Sequence, residues 1–185
     1  RSASKEVQHM QKSLVLMNIK VDTVISDILG KSGKAIIEAI LNGNHDPKSL
    51  VQLVDPRCKA SKETIEKSLE GTWDVVHLFE LKQSYDLYKY IHIQIADCEA
   101  EMDRLLGEYT DGCGTDMQGY TATKKRVAKK NAISFDAEKH AFSMWGVNAM
   151  EIPGMSLGAL AVLMGELGSG FTEKFTSAKS FCKWC

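Results

Sequence analysis

The chain has 185 residues, of which 44% are hydrophobic and 25% charged, and it carries a net charge of −1. That is enough for one ordinary domain or two small ones with a real core. It excludes a nucleic-acid binder that works through a whole-chain positive field, so any such role must rest on local patches. No apolar run is long enough to span a membrane, and the N-terminal "RSASKEVQHM" has no apolar signal core, which points to the cytoplasm.

Apolar residues recur at helical spacing along nearly the whole chain, and the predicted fold class is all-α. Met10, Leu14, Met17, Val21, Val24 and Ile28 fall at alternating steps of four and three, predicting a first helix interrupted at Gly30 and Gly33. "KAIIEAIL" (34–41) is a short helix stopped by the turn cluster "NGNHDP". Asp46 then caps a helix whose first residue is Pro47, and Ser61 opens another that closes on Gly71. The longest element is expected over 74–108, which at 1.5 Å per residue reaches about 50 Å. Leu81, Ser84, Tyr88, Ile91, Ile95, Cys98, Met102 and Leu105 form a stripe at three-four spacing, the period of a coiled-coil seam. Its partner is either the first helix folded back on it or a second copy, and both hold in a dimer of hairpins. A basic, Gly- and Thr-rich linker without a sustained period follows. Beyond it come a helix over 135–147, the turn "NAMEIPGM", a helix opened by Ser156 over Leu157–Leu167 and the start of a third helix in "SAKSFCKWC". The expected division is a helical coiled-coil region at 1–109, a linker at 110–134 and the start of a small helix-hairpin-helix-like domain at 135–185. The chain begins with Arg and stops within an amphipathic pattern, so a piece of a longer protein is expected.

Two features could hold a phosphate. In "IPGMS", Pro153, Gly154, Met155 and Ser156 make an apolar-flanked turn at the mouth of a helix. There glycine permits close approach and backbone N–H groups face outward. Ser156 stands where hairpin motifs of this kind carry a second glycine, and its hydroxyl can cap the helix or meet a phosphate. The alternative for this turn is a plain connector. Gly158, Ala159 and Ala161 are expected to allow close helix packing. The run "KKRVAKK" supplies Lys124, Lys125, Arg126, Lys129 and Lys130, either a phosphate-pairing patch or a solvated linker. The acidic run "DCEAEMD" reads as a solvated helix face rather than a metal site. The five cysteines are scattered, which fits a reducing compartment, and the spacing of "CKWC" reads as chance on a helix. No histidine pair has metal spacing, and no catalytic constellation is assembled.

The order of several blocks adds a resemblance. "MNIK", "VISDI", "DPRCKAS", "TIEKSLEG", "HLFELKQS" and "IADCEAEMD", followed by "FDAEKHAF", "IPGMSLGALAVLMGELG" and "FTEKFTSAKSFCKW", resemble bacterial insertion-sequence transposases. The family is the DEDD-type, serine-containing one, the bridge-RNA-guided recombinases, and the likeness covers nearly the whole chain apart from parts of 107–130. It implies a parent that mobilises an insertion sequence by DNA phosphoryl transfer. The parent's N-terminal domain would hold carboxylates and a divalent metal (Mg), and its C-terminal domain a serine nucleophile. This chain begins after the former and stops before the latter, so no residue here is assigned as catalytic or metal-binding and no cofactor is expected in it. The implied roles are dimerisation through Leu81, Tyr88, Ile91, Ile95, Met102 and Leu105, and contact with DNA and a guide-type structured RNA. Two alternatives stay open: a non-catalytic self-associating helical scaffold, and a helix-hairpin-helix DNA-repair module.

Overall fold

The computed structural model describes residues 2–123 and 132–184, and among them all regular structure is helical, with no strand. They fall into two compact units, 1–94 and 95–185, which divide between Gln94 and Ile95 inside the longest helix.

In the first unit, α1 (Ser2–Leu16) stops well short of the expected Ile28. Asn18 takes the left-handed conformation (φ 61°), Ile19 N–H donates to Leu14 C=O (2.8 Å) and Asn18 N–H to Val15 C=O (2.9 Å). This is a Schellman stop with asparagine in the left-handed position, closed by contact between the apolar residues on either side of it. Leu14 and Ile19 are both buried. The four-three spacing beyond it comes from residues that reach the same core through a turn and a short 3₁₀ segment (Val21–Thr23), not from a continued helix.

The remaining starts follow local chemistry. Asp46 accepts from the N–H groups of Lys48 and Ser49 to open α3 (Pro47–Leu50), which runs into a 3₁₀ turn (Val51–Leu53). Ser61 accepts from Thr64 N–H to open α4 (Lys62–Ser68), and Asp74 accepts from the N–H groups of Val76 and His77 where α5 (Val75–Asp111) begins. Each such cap stabilises its helix by about 1 kcal/mol. The helix α2 (Lys31–Leu41) starts at Gly30 without a side-chain cap.

Apolar and aromatic side chains from these elements form one core: Met10 and Leu14 of α1, Ile36, Ile37 and Ile40 of α2, Leu50, Ile65, and Leu81, Tyr85 and Tyr88 of α5. Two glycines fit it together. A Cβ on Gly33 would lie 2.0 Å from the Ile28 carbonyl oxygen, and one on Gly71 would lie 2.5 Å from that of Met17. At Gly71 the chain passes so close to α1 that Thr72 N–H bonds Met17 C=O (2.8 Å). Tyr85 hydroxyl donates to Glu38 (2.5 Å), and burial followed by that carboxylate raises the phenol's pKa.

In the second unit, the last turns of α5 meet α6 (Ala137–Trp145), α7 (Leu157–Leu167) and the 3₁₀ turn Ala149–Glu151. Two further short helices, α8 (Phe171–Lys174) and α9 (Ala178–Trp184), complete it. Asp136 caps α6 and left-handed Gly146 (φ 70°) ends it. The core is built from smaller pieces than that of the first unit. Ala137, Ala141, Ala149 and Ala161 let α6 and α7 come close, with Phe135, Met144, Met150, Leu160 and Met164 filling the remainder and Leu106 packed against them.

Polar side chains then pin this small core. Glu99 accepts from Ser134 N–H (3.1 Å) and hydroxyl (2.6 Å), His140 Nε2 lies 2.7 Å from Asp103, and Tyr109 hydroxyl lies 2.7 Å from that of Ser169. The described part of the expected linker is tied down as well. Thr123 donates through its N–H and hydroxyl to buried Glu138, Asn148 donates to Thr121 C=O, and Tyr120 packs on Phe142.

Candidate nucleic-acid interface

The turn Ile152–Ser156 opens α7, whose bounds agree with those expected from the sequence. Met155 N–H donates to Ile152 C=O (3.1 Å), closing a tight turn with Gly154 at φ 87°, in the left-handed region that glycine alone enters without strain. Ile152, Pro153, Gly154 and Ser156 are exposed, and no atom lies within 4 Å of the position a Gly154 Cβ would take. Ser156 caps α7 by accepting from Ala159 N–H (3.1 Å), which leaves its hydroxyl proton to donate. The N–H groups of Leu157 and Gly158, in the first turn, lack acceptors within the helix, as at any helix start. Backbone donors, a hydroxyl and the positive end of an eleven-residue helix therefore face one open surface. Glu151, exposed just before the turn, opposes an anion there, so affinity at this point would rest on directed N–H groups rather than net charge.

Close packing is carried by Ala161, with Leu160, Met164 and Leu167 buried. Gly158 does not contribute, contrary to expectation. It is exposed with nothing within 4 Å of a Cβ, and so is Gly165 seven residues on. Together with exposed Val162 they form an open face of α7 of small and apolar residues, bordered by exposed Glu166. Periodicity could not assign these glycines, because a small residue suits a tight contact and an open surface alike.

Lys124, Lys125, Arg126, Lys129 and Lys130 lie outside the described residues. The proposed seam divides. Leu81 and Tyr88 are buried in the core of the first unit, so their side chains are already covered, and Ile91 is half-buried. Ile95, Met102 and Leu105 are exposed (42, 39 and 50%), as is Cys98. The acidic run is not simply a solvated face. Glu101 pairs with Arg104, which also reaches Glu108, but Glu99 and Asp103 are the groups that hold Ser134 and His140. Their shared helix face was visible in the sequence, whereas their partners, more than thirty residues on, were not. The hydrogen bonds from Arg104 hold the Glu101 carboxyl below its ordinary pKa.

Among the described residues no three His, Cys, Asp or Glu side chains converge as metal ligands. No described helix is long and apolar enough to cross a membrane. The chain matches no known family model, no curated protein and no solved structure. The fold and site thus define a class at one level only: an all-α protein of two helical units with an exposed glycine turn at a helix start.

Proposed function

We propose that this chain is the helical scaffold and nucleic-acid-contacting part of an insertion-sequence transposase of the DEDD-type, serine-containing family. The parent would act in the cytoplasm by cutting and rejoining DNA through phosphoryl transfer, with a serine–DNA intermediate and metal-binding carboxylates supplied by segments other than this one. Support comes from the ordered sequence blocks from "MNIK" to "FTEKFTSAKSFCKW". The structural observation that carries the contact role is the exposed Pro153–Ser156 turn, with left-handed Gly154 at the start of α7. In this reading the turn's N–H groups and Ser156 hydroxyl hold a phosphate of DNA or a structured RNA, and Lys124, Lys125, Arg126, Lys129 and Lys130 add salt-dependent affinity. Leu105, Met102 and Ile95 give the surface for a second copy.

Two variants test the contact role. Reversing Lys124, Lys125 and Arg126 to Glu is expected to weaken DNA and RNA binding in gel shifts. It should also lower the slope of log affinity against log salt by about one for each side chain that no longer neutralises a phosphate. Ser156→Asp keeps a good helix cap but sets a negative charge where the phosphate would sit. The thermal midpoint is expected to hold while binding falls several-fold, and full binding by both variants would reject the interface. The exposed Ile95, Met102 and Leu105 favour a second reading, a self-associating scaffold without nucleic acid. Association in light scattering with no gel shift at any salt concentration would support it.

A further inference from the structure

We infer that Asn42–Gly43, at the end of α2, is a self-modification site that the helix end itself holds in check: deamidation there follows each local opening of that end and then keeps it from closing. The backbone nitrogen of Gly43 attacks Asn42 Cγ. The bond from Cγ to the side-chain nitrogen breaks, and ammonia leaves with the proton of the Gly43 amide. The resulting five-membered succinimide takes up one water at either carbonyl and opens to aspartate or isoaspartate. One water is consumed for each ammonia released, and no other reactant enters. Glycine suits the second position because no Cβ crowds the attacking nitrogen.

The site is open to water but closed to the reaction. Asn42 and Gly43 are both exposed, and no atom lies within 4 Å of the position a Gly43 Cβ would take. Gly43 is left-handed (φ 87°). Its N–H donates to Ile40 C=O (2.9 Å), and Asn44 N–H donates to Ala39 C=O (2.9 Å), the two bonds of a Schellman motif. The attacking nitrogen is therefore engaged. Ring closure also needs Asn42 Cβ and Gly43 N on the same side of the Cα–C bond, and a ψ of 8° at Asn42 holds them apart. Opening the last turn of α2 removes both obstacles without unfolding the rest of the unit.

Once formed, the product changes the turn. Isoaspartate adds a methylene to the backbone and shifts Gly43 and Asn44 off the carbonyls they bond. Either product sets a carboxylate at the negative end of α2, four residues after Glu38. Lys82 and Lys89, in the same cleft as Glu38 and Asn42, are already paired with Asp86 (2.6 and 3.0 Å). The chain beyond leans on this turn. Asn44 donates to Ser49 hydroxyl and accepts from Asp46 N–H, Asp46 caps α3, and His45 stacks on Trp73 with ring centroids 4.3 Å apart.

The test follows the reaction in the full chain at mildly alkaline pH, with a synthetic peptide of residues 36–48 as the unfolded reference. Peptide mapping by mass spectrometry reads conversion at Asn42 and separates isoaspartate from aspartate. The folded chain is expected to convert roughly tenfold to a hundredfold more slowly than the peptide, because two hydrogen bonds must open first. Urea below the unfolding transition should change that rate little, since a local opening exposes little surface. Isoaspartate chains, isolated by ion exchange, should lose amide-exchange protection at Gly43 and Asn44, whereas Asn42→Asp, with no added methylene, should retain most of it. A folded rate equal to the peptide's, or no product when the peptide's time course is extended about a hundredfold, overturns the inference. So does a rate that climbs with urea in step with global unfolding, or protection that survives in the isoaspartate chains.

Discussion

The two units reach a packed state by different means. The first encloses isoleucine, leucine, methionine and valine side chains, and Gly33 and Gly71 sit where backbone meets backbone. The second packs α6 and α7 on alanines, adds polar pins such as Asp103–His140 and Glu99–Ser134, and leaves Gly154, Gly158 and Gly165 open to solvent. The same residue type thus serves density in one unit and access in the other. A unit held by buried aliphatic area resists surface change, whereas one held by a few pins on a thin core depends on each of them and can spare a smooth face for contact.

Paired leucines on α5 break that comparison most sharply. Leu81→Ala, at a fully buried position, is expected to cost about 3 kcal/mol in denaturant unfolding. Leu105→Ala, half exposed, should shift the midpoint by less than about 0.5 kcal/mol while weakening self-association. Equal losses at both sites would mean that the stripe is core throughout.

Glycines give the next contrast. Gly33→Ala drives a methyl into the Ile28 carbonyl and is expected to destabilise by about 2 kcal/mol or more. Gly158→Ala meets no atom and should stabilise α7 by up to about 1 kcal/mol. If the open face of α7 meets nucleic acid, the same change weakens binding despite the gain in stability.

Tyr85→Phe is the mildest probe. It removes one hydrogen bond to Glu38, worth about 1 kcal/mol. Because the folded pKa of Tyr85 is raised, its contribution is complete below the ordinary tyrosine value of about 10 and is lost as pH rises toward the raised value. The wild type should therefore lose stability above about pH 10 more steeply than Tyr85→Phe, as read by unfolding midpoints across pH.

Local chemistry made much of this molecule legible from sequence alone. Asp46, Ser61 and Ser156 cap the helices they were expected to cap, Pro47 begins α3, and α7 runs from Leu157 to Leu167. These features depend on neighbours within four residues, and side-chain type fixes them. The all-α class followed from the apolar period for the same reason. What needed the tertiary structure was every choice between two partners that look alike in the chain. Asn18 ended α1 where the apolar pattern ran on, because the core rewarded a turn there. Leu81 and Leu105 share a stripe, yet one is covered by its own unit and the other is not. Glu99 and Asp103 found Ser134 and His140, and Gly33 and Gly158 fell on opposite sides of the line between contact and solvent. Periodicity states which face of a helix is apolar or small, but only the folded chain determines what comes to lie against it.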